Sequence, residues 1–71
     1  MNLNQSIGAL LAKYRRNEGM TQESLAEKAN MHPDYIGKIE RGERMPSVES
    51  LLRILQCLEV SYSDFFLNLE K

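Results

Sequence analysis

Residues 21–41 read Thr-Gln-Glu-Ser-Leu-Ala-Glu-Lys-Ala-Asn-Met-His-Pro-Asp-Tyr-Ile-Gly-Lys-Ile-Glu-Arg, and no other stretch of the chain constrains its fold so tightly. Thr21 can cap one helix, whose apolar face is Leu25, Ala26 and Ala29. Pro33 has no N–H to lose at a first helical position, so His32-Pro33 opens a second helix with Ile36 and Ile39 facing inward. Asn30 falls between the two, where the chain must bend, and asparagine is one of the few residues besides glycine that tolerate positive φ. The small Ala26 and Ala29 let the second helix cross close over the first. Two short helices around so tight a turn spell a helix-turn-helix.

The flanking sequence also reads as helix. Ile7, Leu10, Leu11 and Tyr14 follow an i, i+3, i+4, i+7 stripe, which predicts a helix from about Asn4, taken as its N-cap, to Asn17, closed by Gly19. Pro46-Ser47 opens a fourth helix with Ser47 as N-cap and Val48, Leu51, Leu52, Leu55 and Leu58 as its apolar stripe. Ser61 and Asp64 have the spacing of a capping box, which starts a fifth helix through Phe65, Phe66, Leu67 and Leu69. No segment alternates like a strand. The expectation is all-α: one domain over 1–71, with the helix-turn-helix at about 21–41 and an association segment at about 60–71.

A chain of 71 residues can fold without metals or disulfides. Its single cysteine, Cys57, cannot pair internally, which fits a reducing compartment. No apolar run approaches the ~20 residues of a membrane span, and the N-terminus lacks a signal-peptide layout, so a cytoplasmic location is expected. A helix-turn-helix points to double-stranded DNA, yet the net charge is −1, where nucleic-acid-binding domains are commonly basic. The distribution matters more than the sum. Lys13 to Arg53 holds eight basic and seven acidic residues, whereas from Ile54 onward three acids face one base. Basic side chains can therefore share one face, although non-specific affinity for DNA should be modest.

A pattern that runs from Arg15 through Gly19, Thr21-Gln22, Leu25-Ala26, Ile36, Ile39-Glu40-Arg41-Gly42, Pro46, Leu51, Ile54, Leu58 and Val60, ending at Phe66, closely resembles the phage repressor and Cro class, also called the xenobiotic-response-element class. In size and layout the chain is most similar to the controller proteins of restriction-modification systems, an economy shared by Cro-like regulators and DNA-binding antitoxins. The resemblance implies a compact five-helix lambda-repressor-like domain that binds a partly palindromic operator as a homodimer, its third helix in the major groove. Arg15 and Glu40 match positions that form a structural ion pair between the first and third helices, and Phe66 matches a core position. Two residues depart from the pattern. Asn30 stands for the turn glycine, and Glu59 for the glycine usual after the fourth helix, which predicts a slightly strained helix end.

In the geometry the resemblance implies, His32, Pro33, Asp34, Tyr35 and Lys38 reach base edges. Lys38 can donate to guanine O6 or N7, Asp34 can accept from cytosine N4, His32 can donate to an acceptor, and Pro33 offers only an apolar contact. Asp34 has an alternative use, at its own helix N-terminus, where negative charge is favoured. Gln22, Arg41, Arg44 and Ser47 read as grips on phosphate, with Lys13 and Arg16 as weaker candidates. The competing reading of all these residues is a merely solvated helix surface. Met20, Met31 and Met45 read as gap-fillers and Cys57 as a small core or near-interface residue. His32 has no second His and no Cys at ligand spacing, so no metal is expected. Neither a catalytic set nor a cofactor site is legible.

One recognition helix spans only a few base pairs, so specificity calls for two half-sites. The final segment is more apolar than one face of a short helix can bury. With Phe66 assigned to the core, Tyr62, Phe65, Leu67 and Leu69 are the expected dimer interface. The expected function is a homodimeric, sequence-specific transcriptional regulator of restriction-modification controller type. Its partners are a double-stranded operator, a second copy and RNA polymerase, recruited or blocked according to where the operator lies. A Cro-like repressor and a protein-binding antitoxin adaptor are the alternatives.

Overall fold

The computed structural model describes residues 2–69, which form five helices: α1 (Leu3–Asn17), α2 (Gln22–Ala29), α3 (Pro33–Glu40), α4 (Val48–Cys57) and α5 (Tyr62–Leu69). Helix α1 starts earlier than its apolar stripe suggests. Asn2, not Asn4, is the N-cap: its side chain accepts from the Gln5 N–H at 2.8 Å, and the Gln5 side chain accepts from the Asn2 N–H at 3.2 Å. This reciprocal box satisfies two N–H groups that helix geometry leaves unpaired. Thr21 and Ser24 form the equivalent box on α2, and Ser47 and Ser61 cap α4 and α5 through the Ser50 and Asp64 N–H groups.

Helices α1 to α4 all end the same way. A residue of positive φ closes each one, directly after the cap in α1, α3 and α4 and as the cap itself in α2: Gly19 at 71°, Asn30 at 58°, Gly42 at 77° and Glu59 at 57°. Each N–H one residue later reaches back to a carbonyl in the last turn: Met20 to Arg15 at 3.1 Å, Met31 to Ala26 at 2.8 Å, Glu43 to Lys38 at 2.9 Å and Val60 to Leu55 at 3.0 Å. These are Schellman closures. Glycine serves two of them without strain; Asn30 and Glu59 hold the left-handed conformation at a steric cost.

Helix α3 packs against both α1 and α2, α2 also against α4, and α5 returns to α1. The core they enclose is Ile7, Leu11, Leu25, Ala26, Ile36, Ile39, Leu51, Ile54, Leu55, Leu58 and Phe65. One contact sets the depth of the α1–α3 crossing. Gly8 is buried against the end of α3, where a β-carbon would lie 2.1 Å from the Ile39 carbonyl oxygen and 2.8 Å from that of Glu40.

Four expectations about the core are corrected. Phe65, expected at an interface, is fully buried, whereas Phe66, expected in the core, is 44% exposed. Adjacent helical residues lie about 100° apart, so only one of the two rings can face inward. Phe65 shares its face with Leu69 four residues on, and its ring centroid lies 6.3 Å from that of Tyr14. Val48 is exposed because the α4 stripe leaves the core at its first turn, and Met45 sits outside with it. Met20, Met31 and Cys57 do pack against the core.

Candidate nucleic-acid interface

The end of α1, the start of α2 and the end of α3 converge on one carboxylate. Glu40 accepts from Arg15 Nε at 2.7 Å, from Arg15 Nη2 at 3.1 Å and from Gln22 Nε2 at 3.0 Å. Arg15 Nη1 donates to the Met20 carbonyl at 2.7 Å, which ties the guanidinium to the turn between α1 and α2. Both charged side chains are nearly buried, and the Glu40 hydrogen bond raises the Arg15 pKa further. This forked, charge-assisted pair holds the base of α3 at a fixed place relative to α1.

Gln22 is therefore not a free phosphate grip. One amide hydrogen is committed to Glu40, and its side chain lies over Gly37, where a β-carbon would come within 3.5 Å of Oε1. Its neighbour across Gly37 is Arg41, whose Nη1 would lie 2.9 Å from that same β-carbon. What remains for an anion at this corner is the second amide hydrogen of Gln22 and the first backbone N–H groups of α2, which no carbonyl of the helix can reach.

The exposed face of α3 begins at His32, which is the N-cap: its Nδ1 accepts from the Asp34 N–H at 3.1 Å. Asp34 is exposed and acidic in the first turn, and its carboxylate lies 3.8 Å from His32 Nδ1. Pro33 takes the first helical position. Tyr35 is half-buried against the core and carries the Arg44 guanidinium 5.4 Å above its ring. This cation–π contact pairs a residue expected to read bases with one expected to hold phosphate. Lys38 is exposed on the same short helix.

Arg41 is paired as well. Its Nε donates to Glu43 Oε2 at 2.7 Å, which raises the arginine's pKa and lowers that of the carboxylate. Ser47 Oγ accepts from Ser50, leaving its hydroxyl hydrogen free to donate. The structure thus gathers His32, Pro33, Asp34, Tyr35 and Lys38 onto one helix, with Arg41, Arg44 and Ser47 along the loop that follows. The couplings of Gln22 to Glu40 and Arg44 to Tyr35 left no signal in the sequence, since nothing local selects those partners.

Away from this face, Tyr62, Phe66 and Leu67 of α5 are exposed, at 39%, 44% and 57%. Tyr62 and Phe66 lie one turn apart on the same side. Leu69, also expected at an interface, is half-buried and packs against the core. Among the described residues no group of His, Cys, Asp and Glu could hold a metal ion, and no helix is long and apolar enough to cross a membrane.

Residues 11–65 match the family described as Helix-turn-helix. Among curated relatives, the helix-turn-helix-type regulator y4dJ of Sinorhizobium fredii is 34% identical over 62 residues, covering 87% of this chain and 80% of that protein. Control protein C.SmaI of Serratia marcescens is 31% identical over 61 residues, covering 86% and 73%. Among solved structures, the restriction-modification controller protein C.Esp1396I, a tetramer in complex with its natural 35 base-pair operator, superposes with a TM-score of 0.90 at 40% identity, covering 99% of this chain and 92% of that one.

Proposed function

The chain belongs to the helix-turn-helix family of transcriptional regulators, and from that premise we propose that it is a restriction-modification controller protein, a homodimer on a partly palindromic operator. The observation that carries this reading is the α3 face with its adjoining arginines, held by the Arg15–Glu40 fork against α1 and supplied with donors and acceptors that solvent alone does not require. The likeness to C.SmaI and C.Esp1396I over most of each chain supports the controller reading. His32, Asp34 and Lys38 contact bases, Pro33 and the Tyr35 ring pack against them, and Arg41, Arg44, Ser47 and the start of α2 hold phosphates.

Dimensions favour two copies. The Cα trace extends 29 × 24 × 21 Å, less than the ~34 Å between half-sites one helical turn apart. Tyr62, Phe66 and Leu67 of α5 supply the surface for pairing, with Leu69 beneath them as support. We assign the chain no reaction, since the family it belongs to is one of DNA-binding regulators. It works wherever its DNA is, and RNA polymerase is met at the operator.

Selection from random duplexes tests the reading: one symmetric motif should emerge, bound by two copies with a shallow non-specific salt dependence. Recovery of no preferred sequence rules it out. Placement of that motif upstream of a nuclease or methyltransferase gene separates a controller from other regulators of the family.

A further inference from the structure

We propose that His32 reads DNA as a hydrogen-bond donor, through Nε2–H, and that the cap it makes with Nδ1 fixes this role. The inference rests on the DNA-reading role of α3 proposed above. A neutral imidazole carries one proton, so one ring nitrogen donates and the other accepts. His32 Nδ1 lies 3.1 Å from the Asp34 backbone nitrogen, which has a hydrogen to give. That contact requires a lone pair on Nδ1 and places the proton on Nε2. The opposite tautomer would set two hydrogens against each other and leave the Asp34 N–H at the helix start without its acceptor.

The geometry makes this cap unlike the usual ones. Serine, threonine, asparagine and aspartate cap with a short side chain and have little left to extend outward. Histidine caps with its proximal ring nitrogen and keeps the distal one, on the far edge of the ring, free. The side chain is 74% exposed, so Nε2–H is presented outward from the first turn of the recognition helix. Its partners in the major groove are guanine O6 and N7, thymine O4 and adenine N7, whereas cytosine N4 offers another donor and is rejected. Asp34, 85% exposed on its side chain, presents only acceptors two residues further on. The start of α3 therefore offers a donor and an acceptor in fixed order, and the order carries sequence information.

Two measurements on the full chain test this. Long-range proton–nitrogen correlation on the 15N-labelled protein should show His32 with a bare Nδ1 and a protonated Nε2; the reverse assignment overturns the proposal. Operator selection should then compare the wild type with His32→Ser, which preserves an N-cap oxygen but cannot reach a base edge. The variant should select the same motif except at one symmetry-related pair of positions, where discrimination against the rejected base falls about fivefold. If wild type and His32→Ser select identical motifs with equal strength, the donor role of His32 falls while the DNA-reading function stands. If the wild type selects no motif, the function itself fails and this inference with it.

Discussion

Arg15 and Glu40 lie 25 residues apart in sequence and meet as a two-pronged ion pair, with the third acceptor position of Glu40 filled by Gln22. The fork joins α1 to the end of α3, and through Gln22 it reaches the start of α2. One carboxylate thus sets the relative placement of α1, α2 and α3.

Arg15→Ala should destabilise the protein by about 3–5 kcal/mol, because Glu40 is left nearly buried without its cation. The melting temperature should fall well before the selected operator sequence changes. A variant that melts like the wild type and yet loses operator binding would falsify the structural role of the pair.

Gly8→Ala should be costly for a different reason. The new methyl meets two backbone carbonyl oxygens of α3, neither of which can swing aside. Overpacking of this kind costs about 1–3 kcal/mol or more, and for a domain of this size each kcal/mol lowers Tm by about 4–8 °C. Gly37→Ala is the control. There the methyl meets the flexible end of Arg41, so thermal denaturation should show a much smaller loss.

Glu43→Gln should strengthen non-specific DNA binding. It removes a negative charge and releases Arg41, so the slope of log K against log salt should steepen by about one. The pH dependence has a defined sign. Arg41 holds the Glu43 carboxyl below its ordinary value, so the pair is intact at neutral pH and is lost only as pH falls through that lowered value. Wild type should therefore approach the variant's affinity only in acid, and equal salt slopes at neutral pH count against the pairing.

Phe66→Asp should yield a folded monomer, whereas Phe65→Ala should lose about 3–5 kcal/mol of stability through a cavity at the centre of the core. Sedimentation and denaturant unfolding separate the two effects. A Phe66→Asp protein that still sediments as a dimer moves the interface away from α5.

Glu59→Gly should raise stability by up to about 1 kcal/mol, because glycine adopts φ near 57° without the clash that a β-carbon brings. Asn30→Gly should gain less, since asparagine already tolerates that region. Unfolding midpoints that drop for Glu59→Gly would mean the glutamate makes compensating contacts.

Sequence alone determined the helix-turn-helix, the start of α3 at Pro33, the left-handed turn at Asn30 and the caps at Thr21, Ser47 and Ser61. Each depends on groups within about five residues of one another, so composition and spacing suffice to specify it. The Arg15–Glu40 pair was legible only through the family resemblance, because no local rule joins residues 25 apart. Tertiary structure decided what local chemistry leaves degenerate. Phe65 and Phe66 are interchangeable in propensity, and only the position of Tyr14 and the surrounding core chose Phe65 to fill the interior. Nothing near Gly8 in the sequence marks it as a contact point; the fold alone brings the carbonyls of Ile39 and Glu40 against it. Gln22 looked like a phosphate grip until packing brought the Glu40 carboxylate, a closer and permanently present acceptor, within 3.0 Å of its amide.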